Sequence, residues 1–178
     1  TNRSRCLRFF KQYQTKYDLI AQMCELLDKG KKLFVFTPWA IKQHNSVNQL
    51  AAYLRGKYNW TFGKEVLEYW SKATAEKKKL AKCEEVWDNP EVRVVITNSA
   101  ITVGVNFNKR DVFDEIFCFF HSMVGTRDVI QVLYRPRHPV SNVMHIHLEK
   151  GIYSDSFTDD LEYPTCNTFE MLEKGSQI

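Results

Sequence analysis

The sequence predicts an α/β fold, a parallel sheet with helices crossing between its strands. Two observations predict it. Apolar stretches of strand length alternate with longer stretches of helical period, giving strand, helix, strand, helix, strand, loop, strand, helix, strand. The strands, "LFVF", "VRVVIT" and "EIFCFF" among them, are continuous apolar runs, the pattern of strands covered on both faces. With 178 residues, 44% of them hydrophobic, the chain is long enough for one domain with a sizeable core.

The elements follow in order. Residues 5–29 place Leu7, Phe10, Tyr13, Tyr17, Ile20, Met23, Cys24 and Leu27 at helical spacing, which predicts one leading helix stopped by Gly30. "KKLFVFTP" predicts a strand from Leu33 to Phe36, ended by Pro38. "IKQHNSVNQLAAYLRG" predicts a helix from Ile41 to Arg55 with Gly56 as terminator. "EVLEYW" is a strand, with Ser71 and Lys72 just past its end. Thr74 is the expected N-cap of a helix running to Trp87, after which "DNPE" turns the chain. "VRVVIT" and "EIFCFF" are buried strands, joined by the polar loop "TNSAITVGVNFN" with a short helical turn in it. Thr126 caps the helix that contains "RDVIQVLYRPRHP", and "VMHIHLE" closes the set. This divides the chain into a leading helix (1–30), an α/β domain (31–150) and an acidic tail or linker to further sequence (151–178).

Charge is unevenly spread. The formal total is +4, but from Glu149 onward seven acids face two lysines, so that segment carries −5 and residues 1–148 carry +9. A basic body predicts an anionic partner. Five scattered cysteines form no framework and predict free thiols in a reducing, intracellular setting. No apolar run is long enough to cross a membrane and no signal peptide is present, so no membrane partner is expected. A chain that begins at Thr1 reads as a piece of a longer protein. The sequon Asn59-Trp60-Thr61 is then a chance match. His145 and His147 alternate with Met144, Ile146 and Leu148 on a strand, and Cys118 sits in an apolar strand as a small hydrophobe, so no metal site is expected from Cys118, His121, His145 and His147. The chain holds neither GxGxxG after its first strand nor GxxxxGK[ST] anywhere, so any phosphate cradle must come from another domain.

In open parallel sheets ligands bind outside the carboxyl ends of the strands. Those ends offer Thr37 and Trp39, then Ser71 and Lys72, then Thr97 and Asn98 followed by Gly104 and Asn106. One helix further on, Arg135, Arg137 and His138 surround Pro136 where the helix has to end. A helix C-terminus favours positive charge, which accounts for one arginine and not for a cluster.

From Leu33 to Leu148 the chain resembles the second RecA-like domain of superfamily 2 helicases. "KKLFVFTP" is similar to the first strand of that domain, leading to motif IV. "VVITNSAITVGVNF" is similar to motif V, with Thr97 and Gly104 in place and Asn106 where many members have aspartate. "QVLYRPRHP" resembles motif VI, Q-x-x-G-R-x-x-R, with Gln131 and Arg135 matching. Tyr134 stands in the glycine position, and His138 stands where the second arginine is expected, with Arg137 one residue early. The compressed R-x-R form is similar to that of the replication origin-binding helicases of herpesviruses and other large DNA viruses.

The resemblance implies a P-loop NTPase-type helicase C-terminal domain that forms one wall of an ATP cleft. ATP and Mg2+ would be held mainly by a preceding RecA-like domain of the same chain. Arg135 and Arg137 would point across the cleft, since an arginine fork matches phosphate oxygens, with Gln131 coupling nucleotide to the interdomain gap and Gly104 and Asn106 lining it. Single-stranded or duplex DNA, with RNA as the open alternative, would cross another edge, over Thr37, Trp39, Ser71, Lys72, Thr97 and Asn98, with contacts mostly to phosphates. Replication proteins would be partners, and a viral helicase would act in the host nucleus or at a cytoplasmic replication site. The alternatives are a module of the same fold that has lost hydrolysis and kept a nucleic-acid or protein surface, and an unrelated α/β enzyme with a closed pocket of its own.

Overall fold

The computed structural model describes residues 8–70, 82–101, 107–121 and 124–149. Strands β1 (Phe9–Tyr13), β2 (Leu33–Phe36), β3 (Val66–Tyr69), β4 (Val94–Thr97), β6 (Glu115–His121) and β8 (Val143–Glu149) form one parallel sheet in the order β1-β8-β6-β2-β4-β3. Helices α1 (Lys16–Asp28) and α2 (Val47–Tyr58) cover one face. Helices α3 (Cys83–Asp88) and α4 (Thr126–Leu133) cover the other, where β5 (Phe107–Arg110) and β7 (Pro136–His138) form a small parallel pair. The α/β class and the parallel sheet flanked by helices are as the sequence predicts.

The boundaries differ in instructive ways. Residues 5–29 are not one helix: β1 occupies Phe9–Tyr13, and α1 starts only after Thr15. Parallel pairing with β8, from Phe9 opposite Val143 to Tyr13 opposite His147, overrides the helical period there. The break is fixed by a capping box. The Thr15 hydroxyl accepts from the Asp18 N–H at 3.1 Å, and the Asp18 carboxylate accepts from the Thr15 N–H at 3.2 Å. Gly30 does stop α1, at φ +79°, where a side chain would be strained.

Helix α2 starts six residues later than Ile41 and runs past Gly56, which lies within it. Asn59 takes the left-handed cap at φ 54°, a conformation that asparagine tolerates. The displaced residues form a loop over the sheet edge, where the Val47 N–H donates to the Trp39 carbonyl at 2.9 Å. The Thr74 cap and Lys72 lie outside the described residues; α3 starts at Cys83, with Lys82 as its N-cap, rather than running in from Thr74 as one helix, and it ends at Asp88, one residue past the expected Trp87. Gly125, not Thr126, is the N-cap of α4.

Helix α4 stops at Leu133, with Tyr134 as its cap, so Gln131 and Arg135 do not share a helical face. Pro136 does not merely break the helix. It opens β7, a strand position where its missing N–H is tolerated, and pairs opposite Phe107. The β5–β7 pair is absent from the predicted elements because "FNKR" and "PRH" are too short and polar to announce themselves.

Candidate functional site

The carboxyl edge of the sheet gathers Thr37, Trp39, Thr97 and Asn98. Strands β2 and β4 are neighbours, and the Thr37 N–H donates to the Thr97 carbonyl at 2.9 Å. Both threonines are fully buried. The Thr37 hydroxyl donates to the Asn45 carbonyl at 2.6 Å and the Thr97 hydroxyl to the Asn98 carbonyl at 2.9 Å. Each hydroxyl proton is therefore engaged within the fold, leaving acceptor lone pairs. Trp39 is half-buried. Its indole N–H donates to the Glu149 carboxylate at 3.0 Å, and its ring meets His121 edge-on at 5.0 Å between centroids. The other Glu149 oxygen accepts from the Asn45 amide at 2.6 Å.

Sequence reading placed Glu149 at the end of the last strand, as observed, but missed Asn45 and the role of Glu149, whose carboxylate bonds both Trp39 and Asn45. An acid directly after an apolar strand was the available signal. Ser71, Lys72, Gly104 and Asn106 lie outside the described residues.

A second group lies at the opposite end of the sheet. Helix α4 runs back against the strands, so its end comes beside the head of β1. There the buried Arg8 guanidinium donates to the Leu133 carbonyl at 2.6 Å and to the Pro136 carbonyl at 2.7 Å. Its carbon lies 4.2 Å from the centre of the Tyr134 ring, a cation–π stack. Arg135 is half-buried in this turn, its N–H donating to the Val132 carbonyl at 3.0 Å. Arg137 is exposed on β7, and Gln131 is exposed on α4. Positive charge at the helix end thus comes from Arg8, a residue distant in sequence, with Arg135 and Arg137 following in the chain. Nothing in the sequence near Arg8 signals this, because its partners are 125 and 128 residues away.

The strand histidines are structural. The Tyr13 hydroxyl meets His145 Nδ1 at 2.7 Å, and His145 Nε2 donates to the Glu115 carboxylate at 3.2 Å while the ring stacks on Phe117 at 4.4 Å. His147 Nδ1 donates to the Tyr13 carbonyl at 3.1 Å. Burial pushes the Tyr13 hydroxyl and the Cys118 thiol above their ordinary pKa values, keeping both protonated at neutral pH. An open groove of about 690 Å³ runs between α1 and α2, lined by Tyr17, Ile20, Cys24, His44 and Tyr53, on the face away from Arg135 and Arg137.

No family model and no curated protein matches this chain. Solved structures do resemble it. A DEAD box protein from the hyperthermophile Methanococcus jannaschii superposes with a TM-score of 0.57 at 12% identity, over 96% of this chain and 40% of that one. The fold is RecA-like. A Saccharomyces cerevisiae Dbp5 variant bound to RNA gives 0.54 at 11% identity, over 97% and 45%. The Mycobacterium smegmatis helicase Lhr, bound to single-stranded DNA and AMP-PNP, gives 0.53 at 12% identity, over 78% and 19%. The chain therefore spans less than half the length of these helicase-type proteins and shares their RecA-like fold at a distance.

Proposed function

We propose that this chain is the second RecA-like half of an ATP-dependent nucleic-acid motor, acting on DNA and belonging with the replication helicases of large DNA viruses. The observation that carries the reading is the turn after α4. Arg8, Arg135 and Arg137 converge on that turn, Arg8 holding the Leu133 and Pro136 carbonyls and Arg137 exposed on β7, so the turn presents a positive surface whose guanidinium forks suit phosphate oxygens. In this reading the anion is the terminal phosphate of ATP, bound with Mg2+ mainly by a preceding domain, and Arg135 and Arg137 meet charge that develops on it during transfer. At the other end of the sheet Thr37, Thr97 and Asn98 are buried with their backbone N–H groups bonded within the fold or the sheet, so of the four candidates only the part-exposed Trp39 is placed to meet a nucleic-acid strand, by stacking. The R-x-R spacing supports the viral assignment.

Kinetics of the full-length protein test this. Arg135→Ala or Arg137→Ala is expected to lower nucleic-acid-stimulated kcat by about tenfold or more with nucleotide affinity retained, because a contact made in the transition state is lost. His138→Ala is expected to cost less than Arg137→Ala, a neutral imidazole being a poor phosphate clamp. Wild-type kcat in both arginine variants refutes the reading. Affinity for labelled single-stranded DNA is expected to fall linearly on a log–log plot against salt and to rise when residues 151–178 are removed. No binding at low salt without that acidic segment counts against a nucleic-acid edge.

A further inference from the structure

We infer that Arg8 is a positioning residue for Arg135 and Arg137, and that the position of the chain as it enters β1 sets the geometry of that basic turn. For its effect on turnover this rests on the motor reading above. The contacts are concentrated. One guanidinium bonds two carbonyls, of Leu133 and Pro136, and stacks on the ring of Tyr134 between them, so three contacts fall on a four-residue segment that includes Arg135. Arg8 is only 5% exposed, and the last turn of α4 has no basic residue of its own. At its other end Arg8 is tied to the sheet, because the next residue, Phe9, donates its N–H to the Asn142 carbonyl at 2.8 Å and pairs opposite Val143.

Arg8 is thus a strut between the first strand and the turn. A displacement of the chain at residue 8 is passed to residues 133–136 by one side chain with its degrees of freedom already fixed. Lysine has one point charge and no flat face, so it reproduces at most part of this. Tyr134, which departs from the glycine of the motif, supplies the face on which the strut rests.

Hydrogen exchange on the chain carrying Arg8→Ala, Arg8→Lys or Tyr134→Leu tests the structural half. Arg8→Ala is expected to speed exchange about tenfold or more at the Tyr134, Arg135 and Asp111 amides, which donate to Ile130, Val132 and His138, while amides of β2 and β4 keep their rates. Arg8→Lys and Tyr134→Leu are expected to fall between, and they carry the test if Arg8→Ala does not fold. Unchanged rates at those amides, or an equal rise across the whole sheet in every variant, overturn the inference. In the full-length protein Arg8→Ala is expected to lower kcat about tenfold with nucleotide affinity kept, partly rescued by Arg8→Lys. If Arg135→Ala and Arg137→Ala lower kcat and Arg8→Ala does not, the strut has no role in turnover and the motor reading stands. If neither arginine variant lowers kcat, the motor reading fails, and the exchange result alone decides whether Arg8 holds the turn.

Discussion

On one face of the sheet α1 and α2 lay Leu19, Met23, Val47, Leu50 and Leu54 over Leu33, Val35, Val94 and Ile96. On the other, α3, α4 and β5 set Trp87, Phe107, Val129 and Val132 against Phe34, Phe36, Tyr69 and Phe120. The first face uses helices of 13 and 12 residues and mostly aliphatic side chains. Among the described residues the second uses helices of six and eight residues and is rich in aromatic rings. Long regular helices present continuous ridges that branched aliphatics fill. Short elements leave wider gaps, and a large ring closes a gap with few ordered residues. Trp87 meets Phe34, Tyr69, Phe107 and Phe113 at centroid distances of 5.7, 6.0, 5.2 and 5.9 Å and donates its indole N–H to the Tyr69 hydroxyl at 3.0 Å. The face that carries the basic turn is therefore pinned at a few large residues, whereas the other is held by many small contacts.

That contrast breaks most readily at Trp87. Trp87→Ala is expected to cost about 4 kcal/mol, and Leu50→Ala on the aliphatic face about 3 kcal/mol, by the usual cost of emptying a core site. Urea titration of both variants measures it. An equal or larger loss at Leu50 removes the distinction between pinned and distributed packing.

The helix starts sharpen the comparison next. Thr15→Ala removes a reciprocal cap from α1 and is expected to cost about 1 kcal/mol. At the head of α4 Gly125 makes no side-chain cap bond, and a Cβ there would meet only the Asp128 carboxylate, at an ordinary 3.5 Å. Gly125→Ser is therefore expected to change stability by no more than a few tenths of a kcal/mol. Thermal midpoints of the two variants make the check.

A pH-dependent effect lies at the amino edge of the sheet. Burial, with Arg93 nearby and only partly offset by Asp88 and Asp114, lowers the Lys32 ammonium to about 8, and its Nζ donates to the Asn89 carbonyl at 2.9 Å. Between about pH 8 and 10.5 the unfolded chain keeps a proton that the folded chain has released. Stability from this group therefore rises with pH through that window. Wild type should gain on Lys32→Met from pH 8 to 10.5, read as a change in their difference in urea midpoint. A constant difference means that Lys32 is not buried as described.

The aliphatic face was the more legible of the two in the sequence. Leu33–Phe36, "VRVVIT" and "EIFCFF" announce buried strands because both faces of each are apolar, and Gly30 announces the end of α1. Motif likeness singled out Arg135 and Arg137 as candidates and strand-end logic Thr37, Thr97 and Asn98; what the fold adds is their places, the arginines in the turn after α4 and the other three at the carboxyl ends of β2 and β4. What stayed hidden depends on distant partners. Residues 9–13 become a strand only because β8 is beside them, and Arg8 gains its place from carbonyls at the far end of the chain.

The pairing of β1 with β8 also sets a clock. Tyr13 and His147 are neighbours in the sheet but 134 residues apart in the chain. During synthesis at roughly 5–20 residues per second, β1 leaves the ribosome on the order of ten seconds before its partner exists. For that time its backbone is open to any other strand; the edge of β6, with its run Phe117-Cys118-Phe119-Phe120, waits far more briefly, because its partners in β8 follow soon after it in the chain. Strand β8 fills the space between the two in a single late step. A chain that stops short of Val143 leaves both edges bare, and aggregation rather than partial folding is its expected fate.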